Sequence, residues 1–127
     1  MRTVPAAGPQ PCDVLLVGEA PGRHEFAAQV PFVGKSGEEQ ERYLTRHGLT
    51  AQRWRRTNVV GEYRDGNPDP TREQIAEWTP VLLDEVRATR PKLVVAVGRF
   101  AMRFFLGESA ELDACQGLPH EAGTVDP

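Results

Sequence analysis

The sequence predicts an α/β fold, a three-layer α/β/α sandwich built on a short and mostly parallel sheet. Three short runs of apolar or β-branched residues, at 13–17, 56–60 and 92–97, are each followed by residues typical of turns. Runs of this length and composition are typical of strands that are buried on both faces. Helical patterns separate the three runs, and an alternation of strands and helices favours a parallel sheet covered by helices.

The first and the last helix can be delimited from their end signals. Ser36 can act as the N-cap of a helix over 36–47, because its hydroxyl can accept a hydrogen bond from a backbone N–H, and Gly48 is a suitable stop. The last helix is expected over 99–106, with Gly107 at its end.

The helix between these two is expected to begin after the N-cap Thr71 and to end before Pro91. Pro80 lies inside this pattern. Because proline lacks a backbone donor and clashes with the preceding turn, we expect a kink or a break near Thr79. Most of the buried face of this helix is expected to come from Ile75, Val81, Leu82, Leu83 and Val86.

Length and composition indicate one globular domain over residues 1–127. Its core is expected at 13–107, and 108–127 are an acidic segment that is either disordered or the end of a truncated chain. Hydrophobic residues make up 39% of the chain and charged residues 26%, and no apolar run approaches the ~20 residues of a membrane span. Cys12 and Cys115 lie far apart and suggest neither a disulfide framework nor a complete metal site. We therefore expect a monomer in a reducing cytoplasm, with both cysteines as inert, small apolar residues.

The net charge of −3 argues against a simple polyanion binder, but the charges are unevenly distributed. The segment 108–127 contains five acidic residues and no basic one, whereas 42–56 contains five arginines. Two interpretations of the basic segment remain open: it could follow the phosphates of a nucleic acid, or it could be a solvated helix end, which we favour. The five arginines are Arg42, Arg46, Arg53, Arg55 and Arg56.

The segment Gly-Glu-Ala-Pro-Gly at 18–22 follows the first strand directly. Its glycines allow a ligand to approach the backbone, and Pro21 stiffens the turn. In a doubly wound sheet, ligands bind beyond the carboxyl ends of the strands, where Glu19, the loop over 60–70 and Gly98 are expected. Two plainer interpretations are a tight strand-to-helix connection with a solvated acid, and a phosphate loop. The second lacks the Lys-Ser/Thr and the GxGxxG spacing that phosphate loops use.

Four linked motifs favour the interpretation of this segment as part of a ligand site. They are GEAPG at 18–22 with Glu25, PFVG at 31–34, TNVV at 57–60 and PKLVVAVG at 91–98. In this order and at this spacing, they are similar to the motifs of the uracil-DNA glycosylase superfamily. They most resemble those of its family 4, the iron–sulfur enzymes.

The resemblance implies a monofunctional DNA repair enzyme that flips uracil out of DNA and hydrolyses its N-glycosidic bond, leaving free uracil and an abasic site. Glu19 would stabilise the oxocarbenium-like sugar, Phe32 would stack on uracil, and Asn58 would select uracil over cytosine. The fastest relatives have an aspartate where this chain has Ala20, a departure that family 4 shares. The uracil-binding residues would be Gly18, Ala20, Pro21, Phe32 and Asn58. The DNA-binding residues would be Gly22, Arg23, Gly34, Lys35 and Ser36.

Two departures from the family pattern limit what the resemblance implies. Family 4 enzymes hold a [4Fe–4S] cluster on four cysteines, but the aligned third and fourth positions are Glu62 and Trp78, and Cys12 has no paired cysteine. We therefore expect no cluster, no metal and no cofactor. The superfamily also places a His-Pro loop after a fourth strand, and this sequence ends at Pro127 before either. We expect either a truncated chain or a short form.

An alternative function follows from the second departure. The protein would then be a catalytically weak or inactive module that binds uracil-containing or single-stranded DNA. A third hypothesis, a nucleotide-phosphate-binding enzyme, would need a phosphate loop that the sequence does not contain.

Overall fold

The computed structural model describes residues 2–107. The acidic segment 108–127, and with it Cys115, lies outside the described residues. Within them the elements are β1 (Val14–Gly18), α1 (Arg23–Ala28), α2 (Gly34–Arg46), β2 (Trp54–Asn58), α3 (Arg72–Thr89), β3 (Leu93–Ala96) and α4 (Arg99–Leu106). No helix in this part of the chain is long and apolar enough to cross a membrane.

The three strands form one parallel sheet in the order β2-β1-β3, so β1 is the central strand. All five of its residues are buried, because both neighbouring strands and both faces of the sheet cover it. Leu15 and Val17 point to one face, where they pack with Leu82 of α3 and Ala101 of α4. Alternate side chains of a strand point to opposite faces, and the other face of β1 packs on α2. The residues of this second core are Val14, Leu16, Leu44 and Trp54.

These two cores confirm the expected α/β sandwich, with α3 and α4 on one face of a parallel sheet and α2 on the other. Because all three strands are parallel, the carboxyl ends of β1, β2 and β3 lie at the same edge of the sheet. The loops that follow the strands therefore meet there.

The bounds of the second strand differ from the expectation by two residues. β2 covers Trp54–Asn58 rather than 56–60, because Asn58 is the partner of Gly18 at the end of the parallel register. Val59 and Val60 are buried, and their N–H groups donate to the carbonyl oxygens of Gly18 and Glu19. Their apolar run therefore belongs to a buried connection and not to the strand.

The helices follow the expected pattern with three differences. α2 begins at Gly34 with Val33 as its N-cap, so Ser36 lies inside the helix rather than at its cap. α3 continues through Pro80, so of the expected kink or break the break does not occur. The six-residue helix α1 has no counterpart among the expected helices.

The buried face of α3 was also expected to include Val81, and this was wrong. Val81 is 53% exposed, whereas Leu82 is buried. Six helical residues rotate the side chain of Val81 by about 240° from that of Ile75, which places the two on different sides of the helix.

Candidate active site

A cavity of about 270 Å³ opens at the carboxyl ends of the strands. This volume is slightly below the ~300–1,000 Å³ of pockets for drug-sized ligands, so it has room for a group of about the size of a single base. Residues from the GEAPG and PFVG segments, from the end of β2, from the loop after it and from the end of β3 line the cavity. They are Gly18, Glu19, Ala20, Gly22, Glu25, Phe32, Asn58, Asn67, Pro68, Asp69, Pro70, Val97 and Gly98.

Gly18 brings an amide and an aromatic ring together. A Cβ atom on Gly18 would lie 2.6 Å from Oδ1 of Asn58 and 2.6 Å from Cζ of Phe32. The parallel register explains the first neighbour, because Gly18 and Asn58 are opposite each other at the ends of β1 and β2. The second comes from the loop before α2, which folds back over the end of β1. The missing side chain of Gly18 therefore leaves room for both groups at one wall.

Glu19 lies at the N-terminus of α4. Its Oε2 accepts a hydrogen bond from the backbone N–H of Phe100 at 3.3 Å. Gly98 permits this approach, because a Cβ atom there would lie 2.8 Å from Cδ of Glu19, and its φ of +92° is one that glycine adopts readily. Unpaired N–H groups at a helix N-terminus attract negative charge. The Glu19 carboxylate is therefore held at one defined place in the cavity wall.

Glu25 joins the GEAPG loop and the PFVG loop, both of which contribute residues to the cavity. Its Oε1 accepts from the N–H of Gly22 at 3.1 Å, and its Oε2 accepts from the N–H of Val33 at 3.0 Å. Phe32, next to Val33, has a φ of +56°, which is uncommon for a residue other than glycine.

The loop after β2 completes the rim. Asn67 and Asp69 line the cavity from this loop, and Nη2 of Arg99, at the start of α4, donates to Oδ2 of Asp69 at 2.6 Å. The guanidinium group of Arg99 also lies 5.1 Å above the ring of Phe100. The loop is thus fastened to the helix that holds Glu19.

Four of the five residues expected to bind uracil line one cavity: Gly18, Ala20, Phe32 and Asn58. Glu19, the carboxylate expected to stabilise the sugar, lines the same cavity. Pro21 does not line it and is buried instead. Of the residues expected to contact DNA, Gly22 lines the cavity, whereas Arg23, Gly34 and Lys35 do not. Arg23, Gly34 and Lys35 are exposed at the starts of α1 and α2, and Ser36 belongs to α2.

Glu25, Asn67 and Asp69 were not among the expected site residues. Glu25 stands in the sequence as part of the GEAPG motif, and its spacing from Gly22 suits a carboxylate that reaches back to the first N–H of a helix. This signal could have identified it. Asn67 and Asp69 belong to the loop that was expected at this edge, but nothing in their local sequence singles them out.

The basic segment is used largely within the fold. Arg53 pairs with Asp13, and Arg55 pairs with Glu85. Arg56 lies above the ring of Trp54 and donates to the carbonyl oxygen of Phe32 at 3.4 Å. Arg42 and Arg46 are exposed on α2. Arg53 is exposed as well, although it pairs with Asp13, so three of the five arginines have the exposure that the solvated-end interpretation requires.

The positions that the resemblance assigns to an iron–sulfur cluster are filled by other groups. The ring of Trp78 packs against Gly61, where a Cβ atom would lie 2.7 Å from it. The Glu62 carboxylate accepts from Nε2 of Gln74 at 3.5 Å. Cys12 is buried in the apolar core, and this burial raises the pKa of its thiol.

These residues do not fit a cluster that needs four thiolates. Among residues 2–107, no group of three or more His, Cys, Asp or Glu side chains could hold a metal ion.

Comparisons with known proteins agree with the geometry. A model of the uracil DNA glycosylase superfamily matches residues 5–125. The type-4 uracil-DNA glycosylase of Archaeoglobus fulgidus is 37% identical over 101 residues, which are 80% of this chain and 51% of that protein. The type-4 uracil-DNA glycosylase of Pyrobaculum aerophilum is 33% identical over 113 residues, 87% of this chain and 58% of that protein. That of Thermotoga maritima is 31% identical over 107 residues, 84% and 56% of the two chains. The chain spans about half the length of these curated relatives.

Proposed function

The chain belongs to the uracil-DNA glycosylase superfamily, and from this premise we propose that it excises uracil from DNA. The substrate is uracil-containing DNA, and the products are free uracil and an abasic site. The observation that carries the proposal is the wall at Gly18, where the amide of Asn58 and the ring of Phe32 lie side by side in one small cavity. A pocket for a flipped base requires a polar group, such as an amide, for the edge of the base and an aromatic ring for its face.

Asn58 selects uracil in this proposal. Its carboxamide oxygen accepts from N3–H of uracil and its NH₂ group donates to O4. Cytosine presents an acceptor at N3 and donors at N4, so the Asn58 oxygen would face an acceptor and its NH₂ group would face donors. Unpaired polar groups in a buried site are costly, and a single amide can therefore discriminate strongly. The parallel register fixes the backbone of Asn58 opposite Gly18, so its side chain starts from a defined place at the end of β2.

Phe32 and Glu19 act on the two ends of the bond that breaks. The ring of Phe32 stacks on the base, which contributes ~1–3 kcal/mol on comparable aromatic platforms. As the bond between C1′ and N1 breaks, its electron pair leaves with uracil and positive charge develops on the sugar. The Glu19 carboxylate stabilises that charge. A water oxygen then bonds to C1′, and the proton that it loses neutralises the uracil anion.

The DNA backbone passes over the loops beside the cavity in this proposal. Arg23 and Lys35 are exposed at the starts of α1 and α2, and their positive charges attract phosphates. Gly22, Gly34 and Ser36, at the starts of the same two helices, allow the DNA strand to approach the protein backbone.

The test is excision of uracil from a labelled single-stranded oligonucleotide, with alkali to break the strand at abasic sites. Under single-turnover conditions, Glu19→Gln and Asn58→Ala are each expected to lower the rate by ~100-fold or more, because each removes a group that contacts the reacting nucleotide. Gln52→Ala, an exposed position in the turn before β2, is the control and leaves the rate unchanged.

A folded wild-type chain that excises no uracil would contradict the proposal. If the same chain binds the uracil oligonucleotide more tightly than a thymine one, as measured by fluorescence anisotropy, the alternative function as a binding module replaces it.

A further inference from the structure

The backbone at Phe32 is in a conformation that it does not adopt without support. Its φ of +56° lies in the left-handed region, where the Cβ atom of an L-residue is crowded by its own backbone. Residues in such conformations persist when the surrounding structure fixes them, and they occur often at ligand sites. A return to a negative φ would move the ring away from Gly18, which it now approaches closely.

One carboxylate provides much of this support. Glu25 occupies the third position of α1, from which a glutamate can reach back to the N-cap N–H. One of its oxygens does so, accepting from Gly22 at 3.1 Å. The other oxygen accepts from the N–H of Val33 at 3.0 Å and so fixes the peptide that follows Phe32. A single side chain therefore holds the GEAPG loop and the PFVG loop at a fixed separation.

The carbonyl group of the same peptide is fixed from its other side. The oxygen of Phe32 accepts from Arg56 at 3.4 Å. It also lies against Gly37 of α2, where a Cβ atom would be only 1.9 Å away. The Phe32–Val33 peptide thus has its N–H on Glu25 and its C=O between Arg56 and the start of α2.

We infer that Glu25 is a positioning residue that holds Phe32 in the conformation needed to stack on the flipped base. The inference rests on the proposed function, since it takes Phe32 as the stacking platform. Glu25 acts through the backbone of Val33, by fixing the direction in which the neighbouring ring points. Its contribution to excision therefore depends on the ring being present.

The substitution that isolates this role is Glu25→Gln. Glutamine has the same size but one acceptor oxygen, so one of the two N–H groups must face an NH₂ group. We expect kcat/KM for uracil excision to fall by about fivefold to a hundredfold, the range expected when a stacking interaction is lost. Glu39→Gln, which removes an exposed carboxylate on α2, is the matched control and leaves kcat/KM unchanged.

A double-mutant cycle separates positioning from a direct role. Glu25→Gln is measured in the wild type and again in Phe32→Leu and Phe32→Ala, with each melting temperature recorded. If Glu25 acts through Phe32, Glu25→Gln causes no further loss in the Phe32 variants, and kcat/KM stays within about twofold of the value for the Phe32 variant alone. A loss as large in the Phe32 variants as in the wild type overturns the inference, because Glu25 would then act on the substrate itself or on the general stability of the protein.

A spectroscopic measurement keeps this test separate from the failure of the proposed function. NMR of the labelled wild type and of Glu25→Gln reports the backbone shifts and three-bond couplings of Phe32. A left-handed Phe32 in the wild type that changes conformation in the variant supports the positioning role, even in a chain that excises nothing. An unchanged Phe32 in the folded variant overturns it, whatever the activity.

Discussion

At Gly18, the absence of a single Cβ atom decides whether two functional groups can share a wall. The strand is buried there, and the tips of Asn58 and Phe32 occupy the space in which a side chain would stand. The end of a side chain can rotate aside at little cost to the stability of the fold. Binding of a base, however, depends on the direction in which that end points.

Gly18→Ala is therefore expected to impair excision far more than folding. The methyl group would push the amide and the ring apart, and we expect kcat/KM to fall by about a hundredfold, since displacements of ~1 Å have effects of this size. The free energy of unfolding from urea titration should change by less than ~1 kcal/mol, because both neighbours are ends of side chains.

Gly37→Ala provides the contrast, because its Cβ would meet the backbone oxygen of Phe32 at 1.9 Å. A backbone group cannot rotate aside, so we expect Gly37→Ala to lower the free energy of unfolding. The clash should outweigh the ~1 kcal/mol by which alanine normally stabilises a helix relative to glycine. A Gly18→Ala variant as destabilised as Gly37→Ala would contradict this account of the site.

The part of the site that depends on local sequence could be predicted from it. Glu19 directly follows the first predicted strand, at an edge where polar residues of parallel strands converge. Asn58 fell inside the strand predicted at 56–60, and its role came from the resemblance to the family; only the parallel register places it at the end of β2. Asn67 and Asp69 could not be singled out, because their place in the cavity depends on how the loop after β2 is fastened to Arg99. That contact spans 30 residues of sequence.

The helices illustrate which local signals determine an element. α4 was predicted at both ends because glycines stand directly before and after it. α1 was missed because six residues are too few for a periodic pattern. The shifted bounds of β2 have another cause, since the buried connection at Val59 and Val60 has the same apolar composition as a strand.

Pro80 is the clearest case in which tertiary packing overrides a local signal. α3 continues through it, and Oγ1 of Thr79 donates to the carbonyl oxygen of Ile75 at 2.6 Å. Leu82 and Thr89, both buried, anchor the helix on the far side of the proline. Packing over several turns outweighs one lost hydrogen bond and the clash of the ring.

Pro80→Ala is expected to stabilise the protein, since position 80 is exposed and alanine restores a backbone donor. A helix-interior proline costs about 3 kcal/mol, and the greater freedom of the unfolded chain offsets ~0.4–1 kcal/mol of the gain. The free energy of unfolding should therefore rise by ~1–3 kcal/mol in urea titration. Glu77→Ala, exposed on the same helix, should change it by less than ~0.5 kcal/mol. A decrease for Pro80→Ala would mean that the proline fits the local geometry.

In the molecule as a whole, the sheet edge at β2 is attached both to the N-terminal segment and to α3. The N-terminal segment, residues 2–8, pairs with this edge at Ala7 and Arg56, and with the loop after β2 at Thr3 and Glu62. Because an unpaired edge strand attracts other chains, this cover also protects β2. The side chain of Arg55 connects the edge to both of its neighbours. It pairs with Glu85 of α3 and donates to the carbonyl oxygen of Gly8 at 2.5 Å.

The Arg55–Glu85 pair is expected to matter more to stability than the other ion pairs of the described chain. Its side chains are only 14% and 18% exposed, whereas those of Arg2 and Asp65 are 46% and 81% exposed. Removal of one partner of a buried pair leaves an unpaired charge, which typically costs 3–5 kcal/mol. Since this pair retains some contact with solvent, we expect Arg55→Met to lower the free energy of unfolding by ~2–4 kcal/mol. Arg2→Met should lower it by less than ~1 kcal/mol.

The double variant Arg55→Met/Glu85→Leu shows whether the loss comes from the stranded carboxylate. Apolar side chains of similar volume often replace a buried ion pair without loss, so the double variant should recover most of the stability in urea titration. No recovery would instead assign the loss to the contact with Gly8, which both variants lack. In that case the N-terminal segment, and not α3, is what the Arg55 side chain chiefly holds against the sheet.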